Sequence, residues 1–173
     1  MSAQGTCFLS LWQKSYSIGK AKKMNTMKIG KWEVEFDRDA TRAAYAKIEN
    51  FCVEQCHCVY CKNFEAIRDE VYTEEFKSIL KDIGIDARKE AEVYYIRAVN
   101  KNRHLYGGWF HFVGRYNYTG TDRINGHNNL IKINDTIEMS LSDHALLVDS
   151  AFKSEAVVQL EFKVEVPWVI ENV

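Results

Sequence analysis

Alternation of polar and apolar residues is the clearest pattern in the chain and predicts two half-buried strands. Every second residue from Trp32 to Phe36 is apolar, and the residues between and beside them are charged. This pattern is typical of a strand that buries one face. Residues 157–166 repeat it over a longer stretch, with apolar side chains at alternate positions. Pro167 is expected to end this second strand or place it at an edge, because proline has no amide hydrogen for a sheet.

Shorter segments rich in β-branched and aromatic residues predict the rest of a sheet. Gly107 and Gly108 lie inside one of them, and paired glycines in a strand indicate a bulge or a close approach of another chain segment. The additional strands are predicted at residues 92–99, 105–118, 130–133, 136–141 and 145–148.

Residues 39–72 have helical rather than alternating patterns. Asp39 or Thr41 is predicted to cap a first helix that runs to about Asn50, through several alanines that favour helix formation. A second helix is predicted over residues 62–72, because its apolar residues recur with the spacing of one helix face.

A third helix is bounded by recognisable start and stop signals. Thr73 suits its N-cap, and Gly84 suits the left-handed position that ends a helix. The predicted order of elements is one strand, two or three helices and then five or six strands. This order predicts an α+β fold. We expect a mostly antiparallel sheet of about five to seven strands, with two or three helices packed on one face.

Charge separates a basic N-terminal segment from an acidic remainder. Residues 1–30 carry five lysines and no acidic residue, which leaves 18 basic and 24 acidic residues in the rest of the chain. An acidic body argues against a nucleic-acid partner. Residues 1–26 are predicted to be a disordered or spurious extension, with Met24 or Met27 as an alternative start. Residues 27–173 are then expected to form a single α+β domain.

Cysteines are concentrated in one short segment. Four of the five, Cys52, Cys56, Cys58 and Cys61, fall within ten residues. A disulfide framework would spread its cysteines along a short secreted chain, so the clustering favours a reducing, cytoplasmic compartment. No apolar run reaches the roughly 18 residues of a membrane helix, and no membrane association is expected.

The spacing C-x3-C-x-C-x2-C predicts a metal site. Thiolates are preferred ligands of zinc and of iron–sulfur clusters, and Cys58 and Cys61 have the two-residue separation of a zinc knuckle. We expect Cys52, Cys56, Cys58 and Cys61 to bind zinc rather than a cluster, with His57 or His111 as an alternative ligand. A site filled by protein ligands is structural, which predicts a binding module for a protein partner. An open coordination position would favour metal-assisted chemistry instead.

Two other hypotheses compete with the metal site. In the first, Cys58 and Cys61 are redox thiols at a helix N-terminus, where a thiol pKa is lowered. Their string resembles glutaredoxin active sites, but the chain lacks the downstream cis-proline position of that fold. In the second, the cysteines only pack, and the protein is a metal-free interaction protein of the immunity or mobile-element kind. His111 then satisfies its hydrogen bonds in the core.

The chain also resembles a family of small uncharacterised bacterial proteins. The resemblance rests on CHCVYCKNF at residues 56–64, GID at 84–86 and LYGGWFHFVG at 105–114. It covers about residues 50–115 and implies a bacterial cytoplasmic setting, with no known activity to transfer. No nucleophile elbow, phosphate-binding loop or dinucleotide motif occurs in the sequence, which favours a protein that is not an enzyme.

Overall fold

The computed structural model describes residues 23–49, 56–120, 130–152 and 155–170. Within these residues the chain forms four helices and a seven-stranded antiparallel sheet, which confirms the predicted α+β class. In chain order the elements are β1 (Asn25–Ile29), β2 (Trp32–Phe36), α1 (Arg38–Tyr45), α2 (Val59–Ala66), α3 (Arg68–Val71), α4 (Glu74–Ile83), β3 (Glu92–Asn100), β4 (Arg103–Tyr118), β5 (Ile131–Lys132), β6 (Ile137–Ser142), a 3₁₀ helix (Ser150–Phe152) and β7 (Val157–Pro167).

The long strand β4 organises the sheet. The strand order is β1-β2-β4-β7-β6-β5, and β3 pairs with β4 as well. One edge of β4 pairs with β7 from Arg103 to Val113. The other edge pairs with β3 up to Trp109 and with β2 from Gly114 onward. Among the described residues, this second edge therefore has a gap of four residues between its two partner strands.

Side chains of α1 occupy that gap. The Tyr45 hydroxyl donates to the carbonyl of His111 at 2.9 Å and accepts from the amide of the same residue at 3.2 Å. Two residues further on, the Thr41 hydroxyl accepts from the Val113 amide at 3.0 Å. A buried backbone group needs a partner, so these two hydroxyls replace the missing strand.

Aromatic rings from the helices form the core with one face of the sheet. Tyr72 lies between helices and sheet, with ring centres 5.9 Å from Phe110 and 5.3 Å from Phe162. Its hydroxyl donates to Glu90 at 2.9 Å, and Glu90 also pairs with the buried Arg68 guanidinium. This buried polar group joins α3 to the loop before β3.

The helices differ from the predicted ones at their ends. The N-cap of α1 is Asp37, whose carboxylate accepts from the Ala40 amide at 2.9 Å, rather than Asp39 or Thr41. The helix ends at Tyr45, because the backbone tightens there and Lys89 donates to the carbonyl oxygens of Tyr45 and Ile48.

The helix predicted over residues 62–72 is divided at Ile67, whose φ of −116° and ψ of 9° leave the helical region. The division accounts for the fourth helix of the fold. The third predicted helix is confirmed, with Thr73 as its N-cap and Gly84 at a φ of 97° as its C-cap.

One predicted strand assignment is wrong, and one strand of the sheet was not predicted. Residues 145–148 form a loop, in which the Leu146 amide donates to the side chain of Gln159 instead of to a strand. The sheet begins at Asn25, two residues before the predicted domain boundary, because β1 pairs with β2 over its whole length.

The paired glycines mark a close approach. A Cβ on Gly108 would lie 2.4 Å from the Glu92 carbonyl oxygen and 2.6 Å from the Phe162 ring. The β-bulges of the hairpin formed by β3 and β4 lie on β3, between Tyr95 and Asn100, and not at the glycines of β4. No helix in the described part of the chain combines the length and the apolar character of a membrane span.

Candidate metal centre

Three cysteines meet just before and within the first turn of α2. The sulfur atoms of Cys56, Cys58 and Cys61 all lie within 4.8 Å of one another. Four-coordinate zinc with bonds of about 2.3 Å places its sulfur ligands about 3.8 Å apart. A movement of about 1 Å or less would thus bring the three thiols to coordination distance, and the donor set fits zinc.

The start of α2 explains how the cysteines are brought together. Cys58 is the N-cap, with extended backbone, and its sulfur accepts a hydrogen bond from the Cys61 amide at 3.5 Å. Cys61 follows within the first helical turn and is buried, whereas Cys58 is exposed. The N-terminal end of a helix dipole favours negative charge, so thiolates are stabilised at this position.

The thiols differ in how readily they ionise. The amide of Cys61 donates to the sulfur of Cys58 and lowers the pKa of the Cys58 thiol, with smaller contributions from the neighbouring thiols. Burial raises the pKa of the Cys61 thiol well above its ordinary value. In the metal-free protein Cys58 is therefore the first of the two to ionise, and a bound cation would have to displace the proton of Cys61.

Several contacts hold α2 in place. The Tyr106 hydroxyl donates to the Tyr60 carbonyl oxygen at 3.1 Å. The Asn63 side chain is fully buried, donates to the Pro167 carbonyl oxygen at 3.0 Å and accepts from the Val169 amide at 2.8 Å. The helix that carries two of the thiols is thus fixed to the ends of β4 and β7.

Sequence reasoning missed the positioning role of Asn63. The one available signal was an amide residue between Cys61 and Phe64 on a helix whose neighbours are largely apolar. A buried asparagine needs hydrogen-bond partners, and here they come from more than 100 residues further along the chain.

The other predicted ligands do not join the described cluster. Cys52 lies outside the described residues. His57 is described and exposed, and His111 is buried in β4. Neither histidine has a ring nitrogen within 4.8 Å of all three sulfurs. Within the described residues the cluster therefore consists of three thiols, and it leaves one position of a tetrahedral site to another ligand.

Comparison with known proteins assigns no function to the three cysteines, so their interpretation rests on the geometry described above. No protein-family model, no curated protein and no solved structure matches it.

Proposed function

We propose that the protein is a binding module stabilised by zinc, which Cys56, Cys58 and Cys61 hold at the start of α2. The observation that carries this proposal is the approach of three sulfurs to within 4.8 Å of one another. The fourth ligand is Cys52 or a histidine. Zinc is preferred to an iron–sulfur cluster because three thiols at one helix start match the geometry of a single ion.

The proposed zinc has a structural role. Cys56 precedes α2, and Cys61 faces the core, so an ion bound to both would fix the segment that enters the helix. Structural zinc contributes to folding without taking part in a reaction. We accordingly propose a protein partner, a bacterial cytoplasmic setting and membership of the uncharacterised bacterial family described above.

Alkylation of the cysteines tests the proposal. The full chain would be treated with iodoacetamide before and after addition of a chelator, and each cysteine followed by peptide mass spectrometry. The three clustered thiols should resist until the chelator is added, because metal-bound thiolates are protected. Cys7 is the internal control, since its rate should not depend on the chelator. Protection of the clustered thiols that is independent of chelator would contradict the proposal and favour a metal-free interaction protein.

A thiol-redox function is the second candidate, and the exposed Cys58 with its lowered pKa favours it. With a peroxide as the oxidant, the Cys58 thiolate attacks one peroxide oxygen and becomes a sulfenic acid, and the other oxygen leaves as hydroxide or alkoxide. The Cys61 thiol then displaces the sulfenic oxygen as water and forms a disulfide. This function predicts rapid alkylation of Cys58 at neutral pH without any chelator.

A further inference from the structure

An aromatic pair lies on the face of the sheet that is turned away from the core rings. Trp109 on β4 is partly exposed and precedes the buried Phe110, and successive side chains of a strand point to opposite faces. The Tyr94 ring lies beside it, with ring centres 6.0 Å apart. Gly107 makes room for that ring, because a Cβ on residue 107 would lie 2.5 Å from it. The outer face of the sheet therefore presents two adjacent aromatic rings.

Two exposed leucines extend this surface, and their loop is fixed. Leu146 is 59% exposed and Leu147 is 65% exposed. The Leu146 amide donates to the Gln159 side chain at 2.8 Å, and its carbonyl oxygen accepts from the Trp109 indole at 3.3 Å. Leu147 has a left-handed backbone, with a φ of 54°, which is unfavourable for leucine. Exposed apolar side chains held by a strained backbone are typical of interaction sites. We call Tyr94, Trp109, Leu146 and Leu147 the leucine–aromatic surface.

Four carboxylates lie beside the leucine–aromatic surface, those of Glu92, Glu161, Asp143 and Asp149. In the register of the sheet, Trp109 lies between the first two, with Glu92 opposite it on β3 and Glu161 opposite it on β7. Burial raises the pKa of Tyr94, and the Glu161 charge raises it further, so this charge acts on the aromatic pair. The hydrogen bonds that Glu161 accepts come from the neutral side chains of Ser140 and Gln159, which leave its charge in place.

The charge balance of this surface favours a basic partner. The nearby basic side chains are Lys163, which lies opposite Gly107, and His144, which lies 3.9 Å from Asp143. The described surface here is therefore acidic. A second copy would bring like charges face to face, and a nucleic acid would bring phosphates, so both are disfavoured. A lysine or arginine side chain is attracted both by the carboxylates and by the faces of aromatic rings.

We propose that the leucine–aromatic surface binds a basic segment of a protein partner. Apolar side chains of this segment pack on the two leucines, and a lysine or arginine lies between the Trp109 ring and the Glu161 carboxylate. The inference rests on the protein partner of the proposed function and is independent of the zinc. Variants of this surface should therefore bind as much zinc as the wild type, which lets the two proposals fail separately.

A peptide probe selected on the full chain tests the proposal. Peptides enriched from a random phage-displayed library should combine lysine or arginine with apolar residues, and the most enriched one would be synthesised. Its binding to the full chain would be titrated, with the ¹⁵N signal of the Trp109 indole as the local readout. The probe should bind saturably and shift this signal. Replacement of its basic residues by glutamate should weaken binding at least about tenfold.

Leu147→Asn separates binding from folding. Asparagine adopts the left-handed backbone more readily than leucine does, so the variant should unfold at the same or a higher temperature. It should nevertheless bind the probe at least about tenfold more weakly, because the leucine side chain is lost from the interface. Glu161→Gln should also weaken binding, whereas Val169→Asn is the matched control at a 50% exposed position outside the surface and should not.

Other occupants of the surface would give different results. A dimer that Leu147→Asn abolishes would assign the surface to a second copy. Carbodiimide coupling of Glu161 to Lys14 or Lys20 of the same chain would assign it to residues 1–22, which lie outside the described residues. Either result, selected peptides without basic residues, or probe binding that Leu147→Asn leaves unchanged would overturn the proposal.

Discussion

The Tyr45 hydroxyl offers a sharp test of how the sheet is completed. Tyr45→Phe removes one oxygen and keeps the ring, which packs edge-on against Phe152 with centres 5.5 Å apart. The change leaves the amide and the carbonyl of His111 without the two hydrogen bonds of 3.2 and 2.9 Å that the hydroxyl provides. Both groups lie in the gap of β4, where no strand of the described residues replaces the lost partner.

The expected cost follows from the burial of these two groups. Tyr45 is 4% exposed and His111 is 2% exposed, so water does not easily take the place of the hydroxyl. A buried backbone group that loses its partner costs about 1–3 kcal/mol. Tyr45→Phe should therefore lower the free energy of unfolding by about 2–4 kcal/mol, a large fraction of the stability of an ordinary domain.

Urea denaturation of both proteins measures this difference, and hydrogen exchange of the His111 amide locates it. Tyr94→Phe is the matched control, because Tyr94 is 44% exposed and loss of its hydroxyl should change stability by less than about 0.5 kcal/mol. The reasoning is refuted if Tyr45→Phe is as mild as the control, or if exchange of the His111 amide is no faster in the variant.

Three other predictions concern the buried ion pair, the paired glycines and the helix N-cap. Arg68→Ala should lower the free energy of unfolding by about 3–5 kcal/mol, because it leaves a buried carboxylate unpaired. Arg115→Ala is the control, because it breaks an exposed ion pair and should cost less than about 1 kcal/mol. Equal losses of the two variants in urea denaturation would contradict the prediction. Gly108→Ala should lower the stability more than Gly107→Ala, because a Cβ on residue 108 would lie 2.4 Å from a backbone carbonyl oxygen. A Cβ on residue 107 would meet the partly exposed ring of Tyr94, which can move. A higher melting temperature for Gly108→Ala than for Gly107→Ala would contradict the prediction. In metal-free protein the alkylation rate of Cys58 should reach its midpoint below the ordinary thiol pKa of about 8.5. The Cys58 thiolate then stabilises the fold at pH values above the unfolded-state pKa, and this contribution is lost as the pH falls through the folded-state pKa. An alkylation midpoint at or above the ordinary thiol pKa would contradict the prediction.

The sheet could be predicted where a single strand carries its own pattern. Strands β2 and β7 alternate in sequence because each buries one face, and the structure places both in the sheet. Thr73 and Gly84 identify the ends of α4 for a similarly local reason, since a cap depends on the residue at the helix end.

Features that depend on distant segments were not predictable from the sequence. Leu146 and Leu147 look like strand residues, yet both are exposed and the loop backbone is bound by the Gln159 side chain. In the sequence, Tyr45 looks like an ordinary residue on the buried face of a helix. Only the tertiary fold shows that its hydroxyl takes the place of a neighbouring strand. The leucine–aromatic surface likewise joins segments that are far apart in the chain.

The candidate site was predicted in part, and for a clear reason. Two cysteines three positions apart at a helix start share one turn, so the sequence alone brings Cys58 and Cys61 together. The position of Cys56 depends on how the backbone enters α2, and the structure places its sulfur with the other two. The predicted role of Cys52 stays a prediction because it lies outside the described residues.

Metal content is the most direct test of the zinc proposal. The full chain, purified without a metal-affinity tag under reducing and anaerobic conditions, would be measured by elemental analysis beside Cys58→Ser/Cys61→Ser and the control Cys7→Ser. The proposal predicts about one zinc per chain in the wild type and in the control, and none in the double variant. Wild-type protein without zinc, or with zinc that the double variant retains, would contradict it.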